Sequence, residues 1–146
     1  MQITAEQAKA MIAAGEVKAA AIGVPVNIAV LDAGTHLKAF SRMDGAVLGS
    51  IDLAIAKART AALFQIPSEA VWDYCKPGAP APGLERSNGG LATFAGGIPL
   101  FDSTRSMIGA VGVSGGAVAQ DLEIAQAAAA AFHEIFRRAQ QSSQQR

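Results

Sequence analysis

The sequence predicts an α+β domain in which three main helices cover an antiparallel sheet, in the order α-ββ-α-βββ-α. Segments with apolar residues at i, i+3, i+4 and i+7 alternate with short apolar runs bounded by glycine, proline and aspartate. Within each strand group the connections are of hairpin length, whereas a parallel crossover needs about a dozen residues. The strands therefore pair antiparallel, and the helices bury their apolar stripes on the sheet.

The first helix, AEQAKAMIAAGEVKAAA, opens after Thr4, whose hydroxyl can cap the free amides of the first turn, and ends near Gly23-Val24-Pro25. VNIAVLD and HLKAFSRM read as strands joined by Asp32-Ala33-Gly34-Thr35, with Gly34 expected at positive φ. SIDLAIAKARTAALF is the second helix: Ile51, Ala54, Ile55, Ala58 and Ala62 form its stripe, Ser50 is the expected cap, and Asp52 favours the positive end. Residues 67–90 carry four of the six prolines, the only Trp and the only Tyr, and read as a loop with one helical turn. LATFA, IPLFD and SMIGAVGV read as three strands, and AVAQDLEIAQAAAAAFHEIFRRA as a helix with Leu122, Ala125, Ala129, Phe132 and Phe136 on one stripe. One domain over residues 1–140 with a polar tail over 141–146 is expected.

Composition narrows the function. The chain is 51% hydrophobic and 16% charged, as a folded globular chain is. Its formal net charge of zero argues against nucleic acid or an anionic membrane as partner, since both need a basic surface. MQITAEQAKA lacks the basic start and apolar core of a signal peptide, and residues 19–31 are too short and too interrupted to span a bilayer. The lone Cys75 points to the reducing cytoplasm. With His36 and His133 as the only histidines, no structural zinc site is expected.

Gly112-Val113-Ser114-Gly115-Gly116 matches the G-x-S-x-G of serine hydrolases. A nucleophile elbow, however, belongs to a large parallel sheet followed by an acid and a histidine. Here Asp121 and His133 stand twelve residues apart on one helix and point along different faces. The dinucleotide fingerprint G-x-G-x-x-G is also absent. The stretch reads as the last strand turning into the last helix. Its glycines permit close packing, Ser114 serves as a hydrogen-bonding group, and the Gly115 and Gly116 amides are free for a small anion.

Chemistry-bearing residues gather in two other places. Around RMDGAVLGSIDLAIAKART stand Arg42, Asp44, Asp52, Lys57 and Arg59, with Lys57 and Thr60 flanking the apolar stripe. Lys57 can there reach a pocket carboxylate or pair with Asp44 or Asp52, the alternative being a solvated helix face. In GLERSNGG, residues 83–90, Glu85 and Arg86 lie beside Ser87 and Asn88, and the alternative is an ordinary turn. An organic-acid pocket would use Glu85 as acid or base and Arg42 or Arg86 on the carboxylate, with Trp72 and Tyr74 as its cap.

The motifs RMDGA, KARTA, GGIPL and IGAVGVSGG, in this order over nearly the whole chain, resemble the GlcG/HbpS haem-binding family, related to the C-terminal domain of PduO-type cobalamin adenosyltransferases. The resemblance implies a profilin-like fold with a five-stranded antiparallel sheet, a homo-oligomer, and haem or a corrinoid-related molecule as ligand. It places Gly96, Gly97 and Ser114 with Arg86, Asn88, Asp44 and Thr60 among ligand-binding residues. In PduO-like members a first-helix histidine is the expected haem ligand, and residues 4–22 contain none. His36 and His133 are the remaining imidazoles, Thr60 and Thr104 are weak oxygen ligands, and Met11 and Met43 fill core space. Three readings follow: a binding protein for haem or another carboxylate-bearing ligand tied to a catabolic pathway, a cofactor-free isomerase, hydratase or lyase using Glu85, Lys57 and Arg42, and an accessory oligomer without ligand chemistry.

Overall fold

The computed structural model describes residues 2–146. Its elements are α1 (Ala5–Ile22), β1 (Asn27–Asp32), β2 (Leu37–Arg42), α2 (Ser50–Phe64), α3 (Ser68–Cys75), a 3-10 turn (Leu84–Arg86), β3 (Gly97–Phe101), β4 (Met107–Ser114) and α4 (Val118–Gln144). The strands form one antiparallel sheet in the order β2-β1-β4-β3.

Among the described residues the sheet has four strands rather than the expected five, and four helices pack around it rather than three. Residues 91–95 are not a strand, because side chains claim their backbone groups. The Ala92 amide donates to Thr60 Oγ1 (3.0 Å), and the Phe94 carbonyl accepts from Ser68 Oγ (2.7 Å). The additional helix, α3, lies where a loop is expected. Pro67 stands at its N-cap, and Val71 and Cys75, four apart, bury one face.

Local signals explain the other ends. Thr4 and Gln7 form a reciprocal capping box, and Gly23 closes α1 in the left-handed region at φ 73°. In the β1–β2 hairpin the left-handed residue is Thr35, not Gly34. Asp32 Oδ1 accepts the Gly34 and His36 amides (both 2.9 Å), which fixes the turn without needing a glycine there. Ser50 does not cap α2; it is buried inside the first turn, and Gly49 is the cap without a side-chain bond.

The sheet is covered on both faces, so β1 is almost entirely buried. On one face α1 and α4 build the larger core with Met11, Ile28, Val30, Val111, Val113 and Phe132. On the other, α2 lays Ala58, Ala61 and Ala62 against Leu31 and Ala110. The helix comes close because a Cβ at Gly112 would collide with the Ala54 carbonyl. In α4, Ala125, Ala129, Phe132 and Phe136 are buried as the periodicity requires, while Leu122 is half-buried. The helix continues through Gln144, taking in most of the polar segment.

Candidate functional site

The alanine-rich face of α2 carries two polar residues inside it, Lys57 and Thr60, rather than along its edge. Lys57 is the largest fully buried side chain, at 0% exposure. Its Nζ donates to the Val113 carbonyl at the end of β4 (2.9 Å) and to Asp121 Oδ2 in the first turn of α4 (3.0 Å). The expected partners Asp44 and Asp52 are both exposed. The other oxygen of Asp121 accepts the Gly116 amide (2.8 Å), so both carboxylate oxygens are committed. Burial pulls Lys57 below the usual lysine range, and the Asp121 carboxylate pulls the other way.

A strap over residues 88–97 closes this pair off. The Phe94 ring lies 4.9 Å from Lys57 Nζ, within cation–π range. Gly96, at φ 131°, has no room for a side chain: a Cβ would stand 2.5 Å from the Val113 carbonyl and 2.9 Å from Lys57 Nζ. At Gly97 a Cβ would strike the Lys57 backbone carbonyl. Three side chains pin the strap: Arg59 Nη1 to the Asn88 carbonyl (2.6 Å), Thr60 Oγ1 to the Ala92 amide, and Ser68 Oγ to the Phe94 carbonyl and Gly97 amide. Trp72, Thr93 and Phe94 line an open cleft of about 340 Å³ on its outer side.

Of the residues singled out in the sequence, Lys57, Thr60, Gly96 and Gly97 meet here, and buried Ser114 follows Val113 directly. Asn88 is exposed, with φ 54°, and contributes its carbonyl to the Arg59 bond. Arg42 and Asp44 are exposed at the end of β2; Arg42 pairs in register with Asn27, which pairs with Ser114.

Glu85 and Arg86 lie apart from this centre, on the 3-10 turn against α3. Glu85 Oε2 is buried with no hydrogen-bond partner. Its own backbone amide and the Cys75 thiol hold the Glu85 carboxyl below its usual range. Burial, then Glu85, pushes the Cys75 thiol up. Among the described residues no hydrogen bond or ion pair joins Glu85, Lys57 and Arg42. Beside this turn, Phe64, Ile66, Val71, Tyr74 and Leu84 line an apolar pocket of about 230 Å³.

The oxygen and nitrogen donors for a haem iron are peripheral. The His36 side chain is 82% exposed on the β1–β2 turn, and His133 is exposed with its ring edge-on to Phe132. Thr104 is exposed and bonded to Asp102 Oδ1, Met11 is buried in the core, and Met43 packs against it. Tyr74, expected only as a pocket cap, also carries a phenolic oxygen and borders an apolar pocket.

Asp121, Phe94 and Ser68 were not singled out in the sequence as site residues. For Asp121 the available signal was an acid in the first turn of α4 beside the glycine turn. Ser68 and Phe94 had none, because their partners lie 26 or more positions away in the chain.

Together these features describe a small α+β domain with helices on both faces of an antiparallel sheet and a buried lysine–aspartate pair beneath a glycine-containing strap. Residues 3–130 match the family described as haem degrading protein HbpS-like, and the chain belongs to that family. It is 40% identical over 134 residues to a 15.0 kDa protein of the dhaT-dhaS intergenic region of Citrobacter freundii, covering 91% of this chain and 94% of that one. It is 40% identical over 118 residues to the corrinoid adenosyltransferase PduO of Salmonella typhimurium, covering 80% of this chain but 34% of the enzyme. The crystal structure of a PduOC–haem complex superposes with a TM-score of 0.85 at 35% identity, over 90% of this chain and 95% of that one. No helix among the described residues is long and apolar enough to cross a membrane.

Proposed function

We propose that this chain is a small-molecule-binding protein of the HbpS type, taking haem or another carboxylate-bearing ligand. The observation that carries this is the likeness, at 35% identity, to a domain solved as a haem complex. The residues here do not fit a histidine-ligated haem, because both imidazoles lie outside the two clefts described. Tyr74, beside apolar walls, would be the oxygen ligand; the pocket of about 230 Å³ there would take only part of a haem, which would supply an iron centre and two propionates. Arg42, Arg86, Asn88, Asp44, Thr60 and Ser114 are the further polar groups assigned to ligand binding. Titration with haemin tests the reading. A saturable Soret shift at micromolar haemin, kept in the His36→Ala/His133→Ala double variant and altered in Tyr74→Phe, is the expected result. No saturable shift removes haem and leaves the smaller carboxylate ligand.

A second reading, a cofactor-free isomerase, hydratase or lyase acting on a small organic acid, is favoured by the partnerless Glu85 Oε2. Glu85→Gln should then abolish turnover with folding intact, and a fully active variant excludes Glu85. The family resemblance and the lone cysteine support a cytoplasmic protein of a catabolic pathway, folded as one domain over residues 1–140. The open edges of β2 and β3 support a homo-oligomer, which light scattering on the purified protein decides.

A further inference from the structure

We infer that the strap over residues 88–97 is the movable cover of a carboxylate site. In it a planar aromatic acid lies in the Trp72–Thr93–Phe94 cleft, and its carboxylate reaches Lys57 once the Phe94 ring turns outward. This rests on the ligand-binding reading above and names the ligand class and the place.

An ammonium has three N–H donors. Two of those on Lys57 meet the Val113 carbonyl and Asp121 Oδ2, and a ring face stands where another acceptor would fit. Asp121 makes one bond to Lys57, through Oδ2, while its Oδ1 holds the Gly116 amide and its charge sits at the positive end of α4. A buried ammonium without a full set of acceptors is better satisfied by a carboxylate than by a ring. The barrier to one is thin: Phe94 itself is 39% exposed. Its outer face is a wall of the cleft of about 340 Å³, whose other walls are the half-exposed indole of Trp72 and Thr93. The cleft is open, and its two aromatic walls favour a flat ligand.

The cover has the means to move. Asn88, Gly89, Gly90 and Gly96 all stand at positive φ, so the turning points lie at both ends of the segment, outside Phe94. Between them three hydrogen bonds hold the strap: the Leu91 amide to the Glu85 carbonyl, the Ala92 amide to Thr60 Oγ1, and Ser68 Oγ to the Phe94 carbonyl. The lowered proton affinity that burial imposes on Lys57 agrees with an ammonium whose counter-charge is incomplete.

Trp72 is the only tryptophan, so its fluorescence reports on the cleft directly. The probes are benzoate and its neutral isostere benzamide, with the full chain and its Phe94→Ala variant, which keeps the buried pair. Benzoate should quench Trp72 saturably, with benzamide at least ~tenfold weaker. In Phe94→Ala, reductive methylation of Lys57, read by peptide mass spectrometry, should quicken by at least ~tenfold and be slowed again by benzoate. Equal binding of the two probes, no binding of either, or Lys57 labelling that benzoate leaves unchanged overturns the inference. A haemin titration of the same samples separates the two readings. A Soret response without benzoate binding sinks this site and keeps the ligand-binding reading; benzoate binding without a Soret response does the reverse for haem.

Discussion

Lys57 Nζ and Asp121 Oδ2 stand 3.0 Å apart although the residues are 64 positions apart in the chain. Lys57 belongs to the helix on one face of the sheet and Asp121 to a helix on the other, so the pair ties the two layers together past the end of β4. Both side chains are excluded from water, at 0% and 3% exposure, so each is the other's main compensation for lost hydration.

Removing one partner leaves a buried charge without its counter-charge. Lys57→Met or Asp121→Leu should each cost about 3–5 kcal/mol of folding stability. The double variant Lys57→Met/Asp121→Leu should lose clearly less than the sum, because neither charge is then buried. Urea unfolding of the four proteins reads this as a double-mutant cycle, and additive losses would show that the pair is not coupled.

Gly96→Ala should destabilise the fold by at least ~2 kcal/mol, since the backbone conformation is disfavoured for any side chain. The added methyl meets the Val113 carbonyl, part of the rigid ladder, as well as the flexible end of Lys57. Gly78→Ala is the matched control: it also stands at positive φ, 84°, but in open space, so it carries backbone strain alone. Thermal melts of the two variants should differ, with Gly96→Ala the lower.

Thr60 and Ser68 hold the strap by accepting the buried Ala92 and Gly97 amides. Thr60→Val keeps the shape of the side chain but leaves the Ala92 amide unpaired, costing about 1–3 kcal/mol. Thr60→Ser should restore most of it. Hydrogen exchange should show faster exchange confined to residues 91–97 in Thr60→Val and Ser68→Ala; unchanged protection there would mean the strap is held by packing instead.

The sequence made the elements with local signals legible. Thr4, Gly23, and the alternating runs around Asp32 act within a few residues, and each lies where the pattern put it. Residues 91–95 show where such signals fail. A short apolar run between glycines reads as a strand, and only the distant Thr60 and Ser68 reveal that its backbone is already bonded. Lys57 shows the same limit. It follows Ala54 by three positions and precedes Ala61 by four, but a stripe drawn through Ile51, Ala54, Ile55, Ala58 and Ala62 leaves it on the flank, whereas the structure buries it. Its partner was illegible, because no periodicity links residue 57 to residue 121.

Asp102 and Asp32 close the two hairpins and contribute to the acid limb of stability. The Thr104 hydroxyl and then the Ser106 amide hold the Asp102 carboxyl below its ordinary 3.8. At Asp32 burial acts upward, but the His36 and Gly34 amides and the His36 ring outweigh it, and the net shift is also downward from 3.8. A carboxyl lowered in the fold contributes stability above the unfolded value and loses it as pH falls through the folded one. The stability difference between wild type and Asp102→Asn should therefore be flat above about pH 5 and shrink below 3.8. A difference that stays constant through that range would show that the turn does not depend on ionisation.

Lys57 sets the opposite slope at the alkaline end. Its proton affinity is lowered in the fold, from an ordinary 10.5, by burial that Asp121 only partly offsets. As pH rises toward 10.5, the folded chain gives up this proton before the unfolded chain does. The unfolded state then binds more protons, so this group adds stability with rising pH across the window below 10.5 and adds no more above it. Other lysines and Tyr74 cancel when wild type is compared with Lys57→Met. Wild type should therefore gain on the variant as pH rises toward 10.5 in urea unfolding at constant salt. The reverse slope would mean that Asp121 holds the proton more strongly than burial expels it, and that Lys57 is a fully satisfied ammonium.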